Sequence, residues 1–319
     1  MRFGRAGFKK SFTTMRDLRP AGFGLRLYLI AMSMLRPFAQ LLLKRRIARG
    51  KEHPERWREK VGIATVDRPS GRLVWLHAVG LGEVMALRGI IATLATIDPD
   101  LSFLVTSSTR HSAEVFSKNL PPRTVPQFLP LDVPAYAQRF LSHWSPNLAI
   151  WSEQDLWPGL VFYADEYSIP QALINARMNE KSFSERSVAR AVYADMFQRF
   201  FRISAQDKST ATYITTLGAE CDIRVDGSIK PLAQPITTDL ADHLILNAAI
   251  ADRLCWVVCP SHPDDEAIAL TAHRNVTAAH PNALLIIIPR FVERGMAICD
   301  DARKQGFDVA QRSNGDAIT

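Results

Sequence analysis

A carboxylate follows a glycine turn at the end of an apolar segment. Residues Leu73–Val79 are strand-like, Gly80 and Gly82 form the turn, and Glu83 stands where the next helix should begin. Glycine lets a ligand approach the backbone closely, and a helix N-terminus offers free N–H groups and favours negative charge. Spacing alone leaves two interpretations of Glu83 open: a functional carboxylate in a cleft, or simple compensation of the helix dipole.

Two further acidic residues follow the apolar segment Leu148–Trp151. Glu153 and Asp155 precede Trp157-Pro158, which fixes the exit of the chain from the predicted strand. They are either carboxylates at the rim of a cleft or an ordinary helix start in which Asp155 is the N-cap. Composition does not choose between these interpretations.

Basic and polar side chains follow three more predicted strands. Arg177 is either a bidentate anion ligand or a solvated loop arginine. Ser261-His262 and Pro289-Arg290 each lie between a predicted strand and a predicted helix. A helix N-terminus with a nearby arginine is a natural phosphate site, although ordinary loop residues show the same pattern.

Alternating short apolar strands and amphipathic helices must position these residues. The predicted strands are Leu73–Val79, Leu101–Thr106, Val125–Leu129, Leu148–Trp151, Gln171–Asn175 and Ile223–Val225, with helices such as Glu83–Thr96 and Val133–His143 between them. This rhythm predicts an α/β fold whose parallel sheet is covered on both faces. Ligands of such sheets bind at the carboxyl ends of the strands, and Glu83, Glu153 and Arg177 all fall at such ends.

A second, smaller α/β domain is predicted after a break in the pattern. Residues Gly227–Pro235 contain two prolines and a glycine, which is typical of an interdomain linker. The predicted elements beyond it are strand Leu254–Cys259, helix Asp264–Ala279, strand Ala283–Ile288, helix Val292–Gln305 and strand Phe307–Ala310. Three strands are few for a domain of this class, so we expect it to be incomplete.

The basic residues are concentrated at the start of the chain. Residues 1–60 contain 16 Lys/Arg and 4 Asp/Glu, a net charge of +12, whereas the remainder has 23 against 28, a net charge of −5. Such an arm favours an anionic partner, either nucleic acid or a membrane surface. The apolar character of residues 25–43 favours a membrane and argues against nucleic acid.

The apolar part of the arm fits the membrane interface better than a membrane span. Its uninterrupted run, Leu27 to Leu35, is about half of the ~20 residues needed to cross a bilayer. Arg26, Arg36 and the helix-breaking Pro37 are tolerated where arginines can reach lipid headgroups, and Lys44-Arg45-Arg46 adds affinity for anionic lipid. We predict a membrane-associating helix over about residues 22–49; a true span and a helix packed on the domain are the alternatives.

Six short motifs, in order, resemble those of one family. They are His77-Ala78-Val79-Gly80-Leu81-Gly82-Glu83, Glu153-Gln154-Asp155-Leu156-Trp157-Pro158, Asn175-Ala176-Arg177, Gly227-Ser228-Ile229-Lys230, Ser261-His262-Pro263 and Pro289-Arg290-Phe291. Each motif alone is weakly specific, but their order and separations from about residue 22 onwards resemble the 3-deoxy-D-manno-octulosonic acid (Kdo) transferases of lipopolysaccharide biosynthesis.

The resemblance implies a GT-B fold, in which two Rossmann-like domains face a cleft. Residues 61–230 would form the domain for the acceptor, a phosphorylated lipid A precursor, and residues 231–319 part of the domain for the donor, CMP-Kdo. It implies an inverting transfer without a metal or other cofactor, at the cytoplasmic face of the inner membrane and in contact with its anionic lipids.

The resemblance also implies residue roles. Glu83 would be the general base, and Glu153 and Lys230 would stabilise the transition state. Acceptor-binding residues would be Gly80, Gly82 and Arg177, and donor-binding residues would be Ser261, His262, Pro289 and Arg290.

This sequence departs from the family pattern at several positions. Gly80 replaces a serine, Gln154 a threonine, Asp155 a glutamate and Phe291 a histidine, and the family's glycine-rich and acidic donor-binding motifs beyond Phe291 do not occur. Three hypotheses follow: an active Kdo transferase, a non-catalytic membrane-bound relative that binds the lipid A precursor, and another GT-B enzyme such as a sugar-nucleotide epimerase.

Overall fold

A computed structural model describes residues 19–153, 155–232 and 239–317. The basic arm before Arg19, Gln154 and the last three residues of the predicted linker therefore lie outside the described residues. The chain divides into two compact units, Met1–Gln234 and Pro235–Thr319.

The first unit begins with two helices rather than the single helix predicted over residues 22–49. Helix α1 spans Phe23–Met34 and helix α2 spans Arg36–Ala48, with a bend of 57° between them. Pro37 explains the break, because proline is tolerated in the first turn of a helix but not in its interior. No single helix among the described residues is long and apolar enough to cross a membrane; α1 and α2 pass that test only as a bent pair.

A seven-stranded parallel sheet forms the centre of this unit, which confirms the predicted fold class. Its strands are β1 Leu73–His77, β2 Ser102–Ser107, β3 Thr124–Phe128, β4 Leu148–Ser152, β5 Gln171–Ala176, β6 Arg202–Ala205 and β7 Ile223–Val225, in the order β3-β2-β1-β4-β5-β6-β7. The register aligns Leu73 with Ser102, and Val74 with Leu148. Strand β6 was not predicted from the sequence.

Helices connect the strands and cover both faces of the sheet. They are α3 Leu81–Ile97, α4 Arg110–Ser117, α5 Pro134–Trp144, α6 Pro158–Glu166, α7 Glu180–Val188, α8 Arg190–Phe197 and α9 Lys208–Leu217, with 3-10 turns at Trp57–Val61 and Lys230–Leu232. Side chains alternate along β1, so that Trp75 joins one buried cluster and Val74 the other. Burial on both faces explains the unbroken apolar runs that predicted the strands.

The order of the strands creates a crevice at one edge of the sheet. β1 lies between β2 and β4, so the connections after β1 and after β4 leave the sheet in opposite directions. This is the topological switch point, where open parallel sheets bind their ligands. The segments that begin at Ala78 and at Glu153 both start there.

The second unit is built on a sheet of two parallel strands. Its elements are α10 Leu240–Ile250, β8 Cys255–Ser261, α11 Pro263–Ala279, β9 Leu284–Pro289, α12 Gly295–Lys304, and 3-10 turns at Val292–Arg294 and Arg312–Asn314.

The prediction of a third strand at Phe307–Ala310 is wrong, because this segment has no regular secondary structure. The amide of Phe307 donates to the carbonyl of Ala302 at 3.2 Å, and its ring packs beside His273 and Arg274 of α11. These contacts hold the segment against a helix, so it does not form a strand ladder with the described residues.

Candidate active site

Glu83 lies in the first turn of α3, at the carboxyl edge of β1. Its Oε2 accepts hydrogen bonds from the amides of Gly80 at 3.1 Å and Val79 at 3.4 Å, so the side chain caps its own helix. A Cβ on residue 80 would lie 2.9 Å from Glu83 Oε1. Gly80 therefore gives the carboxylate room to fold back over the turn, and the serine of the family pattern would force it to shift.

Glu153 follows β4 in the left-handed backbone region, with φ of 64°. Its amide donates to the carbonyl of Ile174 at 3.0 Å, and its Oε1 accepts from Asn175 Nδ2 at 3.2 Å. These bonds to the adjacent strand direct the carboxylate to the switch point, where it shares a hydrogen bond with Glu83.

The two carboxylates are electrostatically coupled. Burial of Glu153, followed by the hydrogen bond and the negative charge of Glu83, raises the pKa of Glu153 to about 7. Lys230 and Arg177 act in the opposite direction and lower this pKa. Near pH 7, about half of the Glu153 carboxyl groups therefore carry a proton.

The structure thus brings together four residues that the sequence separates widely. Lys230 begins the 3-10 turn that packs against α3, and Arg177 shares with Glu153 the lining of a small, largely apolar pocket. Gly80 and Gly82 belong to the same turn as Glu83. A carboxylate pair flanked by two cations can accept a proton and stabilise separated charges in one place.

Asp155 does not cap the following helix, contrary to one interpretation of the sequence. The amides of Gly159 and Leu160 in α6 instead donate to the buried carboxylate of Asp132, at 2.8 and 2.7 Å. Asp132 also accepts from the hydroxyl of Tyr28 at 2.8 Å, which attaches α1 to the same place.

Two buried residues near the site were not assigned roles from the sequence. His77 Nδ1 lies 2.9 Å from the hydroxyl oxygen and 3.1 Å from the carbonyl oxygen of Thr106. His77 Nε2 has no hydrogen-bond partner among the described residues and faces Asp155 Oδ2 at 4.0 Å. The second residue is Asn175. In the motif Asn175-Ala176-Arg177, only Arg177 was assigned a role from the sequence. His77 and Asn175 each stand at the end of an apolar predicted strand, and this position is the sequence feature that could have indicated them.

The four predicted donor residues gather at the carboxyl ends of β8 and β9. The amide of Arg290 donates to the carbonyl of Ser261 at 2.9 Å, and the ring of His262 lies edge-on to Phe291 at 6.0 Å. Arg290 and His262 are exposed. Ser261 is fully buried, and its hydroxyl donates to Glu266 Oε1 at 3.1 Å, so this side chain is occupied within the unit.

The site residues form no metal-binding cluster, and a separate cavity lies away from them. No group of three or more His, Cys, Asp or Glu side chains among the described residues is placed to hold a metal ion. A cavity of about 600 Å³ opens at the opposite, amino edge of the large sheet, beside Ser102 and Thr124, and none of the predicted site residues lines it.

The raised pKa of Glu153 predicts a pH-dependent stability. Between its ordinary pKa of 4.5 and the folded value of about 7, the folded protein binds a proton that the unfolded chain has lost. The free energy of unfolding therefore falls as pH rises through this window. Glu153→Gln removes this pH dependence, because an amide does not titrate. The two hydrogen bonds are kept, since the amide can donate to Glu83 and accept from Asn175.

Thermal denaturation at pH 5 and pH 8 tests this expectation. We expect Glu153→Gln to be more stable than wild type at pH 8 by about 1–2 kcal/mol, a value reduced for the partial exposure of the site, and similar to it at pH 5. An equal difference at both pH values would mean that the carboxylates are not coupled.

Comparison with known proteins identifies the family. The family profile described as 3-deoxy-D-manno-octulosonic-acid transferase (kdotransferase) matches residues 55–233. The probable mitochondrial 3-deoxy-D-manno-octulosonic acid transferase of Arabidopsis thaliana is 33% identical over 303 residues, which cover 93% of this chain and 68% of the relative. The 3-deoxy-D-manno-octulosonic acid transferase of Rickettsia bellii (strain RML369-C) is 28% identical over 292 residues, 92% of this chain and 69% of that relative.

A solved structure supports the fold. UDP-GlcNAc 2-epimerase from Neisseria meningitidis, bound to UDP-GlcNAc, aligns with a TM-score of 0.53 and 11% identity over 76% of this chain and 70% of that one. At this identity the likeness concerns the fold alone, and that fold is GT-B. The family profile, the relatives and the fold agree with the six motifs, and the chain belongs to the 3-deoxy-D-manno-octulosonic acid transferase family of glycosyltransferases.

Proposed function

We propose that this protein transfers Kdo from CMP-Kdo to a phosphorylated lipid A precursor, lipid IVA, in lipopolysaccharide biosynthesis. The observation that carries the proposal is the coupled pair Glu83 and Glu153 at the switch point of the sheet, flanked by Lys230 and Arg177. The first unit is the proposed acceptor domain and the second unit part of the donor domain.

In the proposed reaction, Glu83 takes the proton from the attacking hydroxyl of the acceptor sugar. The hydroxyl oxygen forms a bond to the anomeric carbon of Kdo, and the bond from that carbon to the phosphate oxygen breaks, so CMP leaves with the electron pair. Attack from the face opposite CMP inverts the anomeric centre, and no metal takes part.

The neighbouring charges fit this sequence of events. Ionised Glu153 would stabilise the positive charge that develops on the Kdo ring. Lys230 would stabilise the negative charge that develops on the leaving group. Arg177 and the backbone at Gly80 and Gly82 would bind the acceptor. His262, Pro289 and Arg290 would contact CMP, with Arg290 opposite the phosphate; the buried Ser261 would support them through its backbone.

Membrane association at the cytoplasmic face of the inner membrane is part of the proposal. Helices α1 and α2 bury only Leu25, Leu29 and Leu43. They expose a row of large apolar side chains: Phe23, Leu27, Ile30, Met34, Leu35, Phe38, Leu41 and Leu42. With the basic residues of α2, this surface fits an anionic lipid interface, with one face of the helices on the protein and the other in lipid.

Charged substitutions on this surface should prevent vesicle binding. Burial of each of the Ile30 and Phe38 side chains in lipid would contribute about 1.5–3 kcal/mol to the free energy of binding. We therefore expect Ile30→Glu/Phe38→Glu to lower partitioning onto vesicles with anionic lipid by at least about 100-fold in a flotation assay. Ile97→Glu, an equally exposed apolar residue at the end of α3, is the control and should bind normally. Normal binding by the double variant would mean that another surface contacts lipid.

The proposed function is tested by the identity of the donor. The purified protein in detergent is incubated with a tetra-acylated, bisphosphorylated lipid A precursor and either CMP-Kdo or UDP-N-acetylglucosamine, and the lipid is examined by mass spectrometry. We expect a Kdo adduct with CMP-Kdo alone. Conversion of UDP-N-acetylglucosamine, or its addition to the lipid, would contradict the proposal in favour of another GT-B activity.

One observation supports a second candidate, a relative that binds the lipid A precursor without transferring Kdo. The described part of the second unit has a sheet of only two strands, and apolar side chains such as Val257, Ile288 and Val292 are exposed on it. A donor pocket normally needs a larger sheet. Precursor binding without measurable CMP affinity in calorimetry would favour this candidate.

A further inference from the structure

One buried side chain connects three segments around the carboxylate pair. Asn175 is 1% exposed and lies near the end of β5. Its Nδ2 donates to Glu153 Oε1 at 3.2 Å, and its Oδ1 accepts from the amide of Ile229 at 3.1 Å. Its carbonyl oxygen accepts from Gln206 Nε2 at 3.0 Å. The side chain thus joins β4 to the segment that carries Lys230.

The chemistry of this position requires a short primary amide. The side chain must donate to a carboxylate on one side and accept from a backbone N–H on the other, and a primary amide does this with two separate atoms, Nδ2 and Oδ1. Its backbone has φ of 54°, a region that asparagine tolerates far better than most residues. Glutamine in this backbone would carry an extra methylene into a buried space.

The bonds of Asn175 hold two charged residues of the site that lie on separate segments. Glu153 leaves β4, whereas Lys230 follows Ile229 directly at the start of a 3-10 turn. Lys230 is exposed and extends from this turn, so the position of its ammonium group depends on the backbone that Asn175 binds. Loss of the amide would free both the carboxylate and the backbone beside Lys230.

We propose that Asn175 is a positioning residue of the transfer reaction, which holds the Glu153 carboxylate and the Lys230 backbone in one arrangement. This inference rests on the proposed function for its catalytic consequence. The two hydrogen bonds on which it depends can be measured without any transfer assay.

Two substitutions separate the two hydrogen bonds. Asn175→Asp keeps an oxygen that accepts from Ile229 but replaces the donor to Glu153 by a second acceptor with negative charge. Asn175→Gly keeps the left-handed backbone and removes both bonds. Asn179→Asp, the same chemical change at an exposed helix cap of α7, is the matched control.

The first measurement is hydrogen exchange at the Ile229 amide. We expect wild-type protection in Asn175→Asp and in the control, and at least about tenfold faster exchange in Asn175→Gly.

The second measurement is the titration midpoint of Glu153, followed by carboxyl ¹³C NMR and assigned with Glu153→Gln. The charged groups that face the Glu153 carboxylate are Glu83, Arg177 and Lys230. Asn175→Asp adds another negative charge beside it, so the titration midpoint of Glu153 should rise by about one pH unit.

Unchanged Ile229 exchange in the folded glycine variant, or an unchanged midpoint in the aspartate variant, would overturn the positioning role. If the wild-type protein transfers Kdo, both variants should lower kcat about 100-fold with little change in the KM for lipid. In Asn175→Asp, the midpoint of the rate–pH curve should also move with that of Glu153. Loss of both bonds with undiminished kcat would contradict the inference, whereas a wild-type protein without transfer activity would contradict only the proposed function.

Discussion

Replacing Glu83 by glutamine should lower the rate of Kdo transfer by about 10²- to 10⁴-fold while the protein stays folded. The glutamine oxygen can still accept from the amides of Gly80 and Val79, so the cap of α3 is preserved. An amide cannot take the proton of the attacking hydroxyl, so the variant lacks the proposed general base. The loss should therefore appear in kcat, with the KM for the lipid nearly unchanged.

The control for this variant is Glu180→Gln, which makes the same change in the exposed first turn of α7. It should leave transfer and stability unchanged. Initial rates of product formation, measured with saturating donor, compare the three proteins. A Glu83→Gln protein with more than a tenth of wild-type kcat would assign the base to another residue.

Replacing Arg199 by methionine should cost about 3–5 kcal/mol of unfolding free energy, the largest stability effect we expect in this chain. The guanidinium is buried and makes ion pairs with Asp165 and Asp195, each at 2.6 Å. It also donates to the carbonyl of Arg19 at 2.9 Å and lies over the ring of Phe162 at 4.8 Å. Methionine preserves much of the volume but leaves two carboxylates without their buried cation.

Urea denaturation followed by circular dichroism measures this cost. Arg190→Met, an exposed position in the same stretch of chain, should change the free energy of unfolding by less than about 0.5 kcal/mol. Because Arg199 and Asp195 bind the residues just before α1, the Arg199 variant should also release this segment to proteolysis. A stability within 1 kcal/mol of wild type would mean that the carboxylates find other partners or become protonated.

The strands of the large sheet could be predicted because each is buried on both faces. Residues Leu73–His77 are all buried and apolar up to Leu76, as expected for parallel strands covered by helices. Strand β6 has only four residues and begins with the half-buried Arg202, so it lacks that pattern. The segment after Phe307 is apolar enough for a strand, but helix contacts that no local pattern reveals hold it elsewhere.

The site could be predicted in part, because the positions of its carboxylates follow from topology. Glu83 lies in the first turn of the helix that follows β1, and Glu153 comes directly after β4. These two strands are adjacent in the sheet, and strand ends of a parallel sheet meet at one edge. The raised pKa of Glu153 could not be predicted, since it depends on burial and on side-chain directions set by a left-handed backbone at Glu153. The roles of Asn175 and His77 depend on partners from distant segments, which a linear pattern does not display.

The measurement that tests the central claim most directly is Kdo transfer by this 319-residue chain and by its Glu83→Gln variant, side by side, on the same precursor-loaded anionic vesicles. Both proteins are first shown to be folded and vesicle-bound. We predict Kdo-bearing lipid and released CMP in equal amounts with wild type, and almost none with the variant. Equal product from both proteins would contradict the assignment of Glu83 as the catalytic base. No product from a wild-type protein that binds both CMP-Kdo and the precursor would contradict the proposed transfer itself.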